Sequence, residues 1–187
     1  SFFIIKNPPG ERTPGRNKRK TEGVKMENLK LTRIDFRLIH GQVMTRWCKE
    51  YETDAIVVVD DRSASSSLLK KILLGAAPAG VAVTVESVES AAEKWKADEL
   101  PKSNSVMILF KNTDTALRAW KAGVKFPSLQ VGGIEGAGNK KNIYKNVVMS
   151  EEEAAQLKEL GDGGVDVYFQ PIPEDAHYPL SEALKKF

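Results

Sequence analysis

Cysteine and histidine are scarce in this chain, which has one Cys and two His among 187 residues. A single cysteine, Cys48, excludes an intrachain disulfide, so the fold must rest on its core, and the sequence reads as a protein of a reducing cytoplasm. No His/Cys cluster has metal-ligand spacing, and no pair of carboxylates suggests glycosidase chemistry, so neither a metal nor a cofactor is expected. Long apolar runs are missing too. The longest uncharged stretch, Ile72 to Val85, contains Gly75, Pro78 and Gly80 and falls short of the roughly 20 residues of a membrane-spanning helix, so no stable membrane insertion is expected.

A strong excess of one charge is also lacking. Lys and Arg exceed Asp and Glu by 28 to 25, a net charge of +3. Residues 1 to 25 hold seven Lys/Arg and two Asp/Glu, a local +5, which leaves 21 against 23, or −2, for residues 26 to 187. The basic character therefore belongs to the first segment, and the remainder has no reason to seek nucleic acid. That segment, with Pro8-Pro9-Gly10, Pro14-Gly15 and Arg16-Asn17-Lys18-Arg19-Lys20, reads as a disordered leader, and its apolar opening is too short for a signal peptide. Met26 is read as a natural start, with residues 1 to 25 translated from upstream or added ahead of it. A nucleic-acid-binding tail is the sharper alternative.

What is present is a regular alternation of β-branched runs with helical stripes. Leu29 to Ile34, Ala55 to Val59, Val81 to Val85, Val106 to Phe110, Leu129 to Val131, Val147 to Met149 and Val165 to Phe169 read as strands. Between them, helices are predicted after His40, around Leu68, Leu69, Ile72 and Leu73, from Ser87 to about Ala97, from Asp114 to Ala122, from Ser150 to Leu160, and at the end around Leu180 and Leu184. This spacing predicts one α/β domain over residues 26 to 187, an open, mainly parallel twisted sheet with helices on both faces. Ligands of such sheets gather outside the carboxyl ends of the strands.

At one such end stands Arg33-Ile34-Asp35-Phe36-Arg37-Leu38-Ile39-His40-Gly41-Gln42-Val43, a loop that leaves a strand and opens a helix with histidine at the joint. Val43, Met44, Trp47, Cys48 and Tyr51 form the stripe of that helix. The first amides, near Gly41 and Gln42, lack intrahelical partners and favour phosphate. Arg37 adds a permanently charged fork, and Gly41, without a Cβ, lets a tetrahedral group approach. Asp35 is placed either to orient Arg37 or an imidazole nitrogen, or to close the loop. A neutral imidazole is a nucleophile at cell pH without a separate base, so the stretch points to a phosphoryl group carried on His40. The bland alternative is a histidine that caps the helix.

These residues resemble the active-site loop of the sorbose/mannose-type IIB subunits of the bacterial phosphotransferase sugar-uptake system. The likeness extends through Ile56-Val57-Val58-Val59-Asp60-Asp61, Ala77-Pro78-Ala79-Gly80-Val81 and Val131-Gly132-Gly133. It implies a phosphocarrier with sugar phosphotransferase activity, in which Nδ1 of His40 takes the group from a phosphohistidine of a IIA protein and passes it to a sugar imported through membrane IIC and IID subunits. The protein would then be cytoplasmic and peripherally associated with the permease. Two other readings use the same residues: a small-molecule-binding or regulatory module of this fold, and a hydrolase working through a transient phosphohistidine. Gln130 and Ile134 depart from the family pattern, in which Asn and Met are common at these positions.

The remaining motifs carry less. Asp60 and Asp61 are expected to cap the second helix. Gly132 to Gly138 has the wrong glycine spacing for a dinucleotide loop and reads as a flexible docking loop. Lys140, Lys141 and Lys145 read as a solvated charge run, with an acidic partner surface as the alternative. His177, with no anion-binding context, is structural or exposed.

Overall fold

The computed structural model describes residues 27–187, and the expectations for residues 1 to 25 lie outside them. Seven strands form one sheet: β1 (Leu29–Asp35), β2 (Ala55–Val59), β3 (Ala82–Glu86), β4 (Val106–Phe110), β5 (Ser128–Gly133), β8 (Asp166–Phe169) and β9 (Tyr178–Pro179), in the order β3-β2-β4-β1-β5-β8-β9. Every pairing is parallel except β8 with β9. The expected doubly wound sheet is thus present, with one short antiparallel edge.

Side-chain alternation along the strands divides the core. Val57, Val59, Ile108, Phe110 and Ile34 point to one face, where they join Ala91, Ala92, Ala116, Ala119, Leu157 and Leu160 from helices α4 (Val88–Ala97), α5 (Thr113–Lys121) and α6 (Glu151–Asp162). Ile56, Val58, Met107, Leu109 and Leu31 point to the other, against Met44, Trp47, Cys48 and Leu73 of α1 (Gly41–Glu50) and α3 (Ser67–Gly75). A two-residue period in strands covered on both sides gives near-continuous apolar runs, which is why β2 and β4 are buried at every position.

Capping follows the sequence closely. Ser87 accepts from the Ser90 amide, Asn112 from the Thr115 amide, and Ser150 and Glu153 form the reciprocal capping box of α6. Three expectations need correction. The second helix is two, α2 (Asp61–Ser65) and α3, because Ser66 leaves the helical conformation and caps α3 through the Leu69 amide. On α3 only Leu73 is buried, while Leu68 and Ile72 are exposed, since the helix lies over the sheet edge with nothing on its outer side among the described residues. The supposed loop up to Lys145 contains β6 (Lys141–Tyr144), which pairs antiparallel with β7 (Val147–Met149) in a separate hairpin. Lys145 occupies its turn at φ +54, where Asn or Gly is the usual signal. The chain closes with α7 (Leu180–Leu184).

Candidate functional site

β1 lies between β4 and β5, while the chain runs from it to β2 and β3 on one side and to β5 and β8 on the other, so a crevice opens at its carboxyl end. The loop leaving β1 is fastened to both neighbours. Lys111, after β4, donates to the carbonyl of Phe36, and the Phe36 amide donates to the carbonyl of Gly133 at 3.1 Å. A turn then closes from the Leu38 amide to the Asp35 carbonyl at 2.9 Å, with Leu38 in the left-handed region at φ +57. A leucine there is strained by about 1 kcal/mol, and the burial of Leu38 and Ile39 in the α1 core holds it. Arg37 and His40 remain open, with side chains 42% and 19% exposed.

His40 is the N-cap residue of α1 by backbone, yet its side chain makes no capping bond. Its Nε2 lies 3.2 Å from Oδ2 of Asp35. The capping alternative for His40 is therefore set aside, and all three roles open to Asp35 occur together: besides the imidazole, its Oδ1 accepts from the Arg37 Nε at 3.1 Å and closes the loop by accepting from the Arg37 amide at 3.2 Å. An ionised carboxylate only accepts, so the imidazole proton belongs on Nε2 and the lone pair on Nδ1 faces away from Asp35.

Asp35 is itself wholly buried, and the cause lies under the loop. β1 places Arg33, Asp35 and Leu31 on the α1 face, and β5 places Gln130 and Gly132 there. Arg33 is fully buried and donates to Asp35 Oδ2 at 3.1 Å, to the carbonyls of Gln170 and Pro171 at 3.0 and 2.9 Å, and to Gln130 Oε1. Its guanidinium carbon stands 5.1 Å from the ring of Trp47. Burial pulls the Arg33 pKa down from its ordinary value and the Asp35 charge opposes this, and a guanidinium stays cationic at neutral pH. For Asp35, burial alone would raise the pKa. The hydrogen bond from His40, the charge of Arg33 and the hydrogen bond from Arg37 outweigh it and hold the carboxyl well below the usual carboxylate range.

Gly132 supplies the room. In the β1–β5 register Arg33 faces Gln130, Ile34 faces Val131 and Asp35 faces Gly133, so Gly132 is an extra residue. A Cβ there would overlap the Arg33 guanidinium. Gly132 and Gly133 are thus buried strand residues, which corrects the flexible-loop expectation at its start.

Gly41 opens α1 at φ +38, and a Cβ built there meets nothing within 4 Å, so its approach side is open. The first helical bond runs from the Met44 amide to the His40 carbonyl, which leaves the amides of Gly41, Gln42 and Val43 as first-turn donors. These groups, the exposed fork of Arg37 and the Nδ1 lone pair suit a tetrahedral anion that bonds to the ring.

Other sequence candidates lie elsewhere. Asp60 caps α2, accepting from the amide and hydroxyl of Ser63, whereas Asp61 accepts from the Val88 amide and Arg118. Lys140 pairs with Glu153, Lys145 with Asp175, and Lys141 reaches the Lys186 carbonyl, so the lysine run is tied to the protein's own acceptors. His177 is exposed and stacked on Tyr168, as expected. Sequence reasoning gave no role to Arg33 and Gln170 and met Gln130 only as a departure from the family pattern. A signal existed for Arg33 alone, a charged residue inside an apolar strand with an aspartate two positions on, on the same face.

Residues 29–187 match the family described as the PTS system sorbose subfamily IIB component. The fructose-specific EIIB component of Bacillus subtilis is 34% identical over 162 residues, 86% of this chain and 98% of that protein. The mannose-specific EIIAB component of Escherichia coli K12 is 34% identical over 158 residues, 83% of this chain and 48% of that longer protein. The crystal structure of manxB from Thermoanaerobacter tengcongensis superposes with a TM-score of 0.77 at 38% identity, covering 87% of this chain and 98% of that one.

Proposed function

This chain belongs to the sorbose-subfamily IIB components of the sugar phosphotransferase system, and from that premise we propose that His40 is the residue that carries the phosphoryl group. The observation that supports it best is the hydrogen bond from Nε2 to the buried Asp35 carboxylate, which leaves Nδ1 as the nucleophile.

In the first step the Nδ1 lone pair attacks the phosphorus of a phosphohistidine on a IIA partner. The donor's P–N bond breaks, and its electron pair returns to the donor ring. Phosphoryl transfer passes through a loose transition state with charge spread over the equatorial oxygens, so positioning and donors matter more than covalent machinery. Arg37 and the amides of Gly41 and Gln42 meet that charge. As His40 becomes phosphorylated its ring takes on positive charge, which Asp35 offsets through Nε2. In the second step a sugar hydroxyl oxygen attacks phosphorus, the Nδ1–P bond breaks with its electron pair left on the ring, and the hydroxyl proton departs to solvent. No metal enters this sequence.

The combined A and B components in the E. coli relative support a IIA partner. The sugar arrives through membrane IIC and IID subunits. No helix among the described residues is long and apolar enough to cross a membrane, in keeping with a cytoplasmic domain, residues 26 to 187, that docks on the permease from its inner side.

The test is incubation with phosphoenolpyruvate, the general phosphotransferase proteins and a matching IIA, followed by a search for acid-labile phosphate on His40. A stable label that moves to sugar when the membrane subunits are added is the expected result. Rapid release of inorganic phosphate would make the protein a hydrolase, and no label would make it a binding module. Arg37→Ala is expected to slow labelling by about tenfold without loss of fold, and an unchanged rate would remove Arg37 from the account.

A further inference from the structure

Arg33 makes no contact with the open side of the site. It lies beneath Asp35, fully buried between the carboxyl ends of β1 and β5 and the residues that follow β8. We infer that Arg33 is a positioning residue for phosphoryl transfer: held by Gln130 and by the carbonyls of Gln170 and Pro171, it fixes the Asp35 carboxylate so that His40 keeps its proton on Nε2 and presents Nδ1. This rests on the reading of His40 as the phosphoryl carrier.

Fold stability alone does not ask for a residue of this kind. A buried ion pair is weak evidence of stabilisation, because an apolar side chain of similar volume often fills the space as well or better. Here the desolvation of Arg33 is offset by four acceptors on three chain segments, and one nitrogen, Nε, is still left without a partner. The surroundings have been shaped around it as well: Gly132 is an extra residue in the β1–β5 register whose missing Cβ leaves space for the guanidinium.

Geometry then says what the cation does. Asp35 Oδ2 is shared by Arg33 Nη2 at 3.1 Å, Arg37 Nη2 at 3.3 Å and His40 Nε2 at 3.2 Å. Arg37 also donates to Asp35, but its side chain is exposed and is the one proposed to meet the incoming anion, so it cannot by itself keep Asp35 ionised and in one rotamer throughout transfer. Arg33 can, because its own orientation is set from the opposite side. The Gln130 amide donates to Gln170 Oε1 at 3.2 Å, and the Gln170 amide donates to the carbonyls of Pro173 and Asp175 at 3.3 and 2.9 Å. Trp47 Nε1 donates to the Pro171 carbonyl at 3.4 Å, so the same acceptor that holds Arg33 is tied to α1, the helix that begins directly after His40. The chain of contacts from Gln170 through Arg33 and Asp35 to His40 is continuous, and each member limits the rotamers of the next.

Two measurements decide it. In the wild-type protein with 15N-labelled histidine, the ring nitrogen shifts of neutral His40 are expected to report a predominant Nε2–H tautomer, and a predominant Nδ1–H tautomer would overturn the inference without any variant. Arg33→Lys keeps a positive charge but cannot reach four acceptors at once. Where near-UV circular dichroism shows it folded, it is expected to mix the two tautomers and to lower the maximal rate of His40 phosphorylation by about tenfold, with little change in the donor concentration for half-maximal rate. Should Arg33→Lys fail to fold, Gln130→Ala, which removes one acceptor and leaves the Arg33–Asp35 pair, is expected to give the same change at about threefold. An unchanged tautomer and rate in the folded variant would reduce Arg33 to a structural role. Absence of label on wild-type His40 would instead defeat the phosphocarrier reading itself, so the two failures are distinct.

Discussion

Two strands of this sheet end in a buried aspartate at the same topological level, and the two carboxylates have different partners. Asp60, after β2, is satisfied within its own helix turn by the amide and hydroxyl of Ser63. Asp35, at the end of β1, receives donors from Arg33, Arg37 and His40. Local chemistry gives the first result by default, because a carboxylate after a strand caps the helix that follows. The second requires neighbours. β1 is central, so β5 and the residues after β8 can supply Gln130, Gln170 and space at Gly132, while β2 is flanked by β3 and β4, whose side chains facing it are largely apolar. A polar constellation forms where the strand order lets several chain segments converge.

The comparison can be broken most directly at its functional end. Asp35→Asn removes the negative charge that holds the Nε2 proton and leaves two guanidinium groups unbalanced. Labelling of His40 is expected to fall by about 100-fold, or about 2.7 kcal/mol at the transition state, measured by rapid-quench phosphorylation. A variant within twofold of wild type would place Asp35 with Asp60 as a structural carboxylate. The same residue makes a pH prediction. Its folded pKa lies below the ordinary 3.8, so the stability it contributes is fully present above about pH 4 and is lost as pH falls through the folded value. Urea unfolding at pH 5 and pH 3 is expected to show a steeper acid loss for wild type than for Asp35→Asn.

Gly132→Ala tests the space beneath Asp35. The added methyl must displace the Arg33 guanidinium, and overpacking of this kind is expected to cost about 2 kcal/mol in chemical denaturation, with slower labelling as well. Full stability and full rate would mean that Arg33 has room to move and fixes nothing. Asp60→Ala supplies the contrast: a lost cap, about 1 kcal/mol of stability, and labelling of His40 at the wild-type rate. A large loss of transfer in that variant would erase the distinction between the two strand ends.

How much of this was legible beforehand follows from the range of the forces involved. The parallel sheet, the caps at Ser87 and Ser150 and the helix after His40 are set by side chains within a few positions of one another, and each was readable from spacing. That His40, Arg37 and Gly41 would stand together was readable because a loop between strand and helix concentrates them in a few residues. Arg33 was not recognised as part of the site. Its meaning depends on Gln130, 97 positions away, and on the Gln170 carbonyl, 137 positions away, a pairing that no local pattern expresses. The hairpin of β6 and β7 was missed for a local reason, since the positive φ of its two-residue turn falls on Lys145 while the asparagine stands one position later, at Asn146.

The smallest expected effect concerns a stripe that reads as core and is not. In α1, Met44, Trp47 and Cys48 are buried, and burial pushes the Cys48 thiol up to about 11. In α3 the similar run Leu68, Leu69, Ile72 and Leu73 buries only Leu73, with Ile72 56% and Leu68 65% exposed. α1 spans the middle of the sheet, whereas α3 sits over its edge, and a helix there can bury only the narrow face that meets β2 and β3. Ile72→Gln should therefore change stability by no more than about 0.5 kcal/mol and leave labelling of His40 untouched, as judged by urea unfolding and the phosphorylation assay. A loss above about 1.5 kcal/mol, in the range for burial of a large apolar side chain, would mean that this face of α3 is covered in solution.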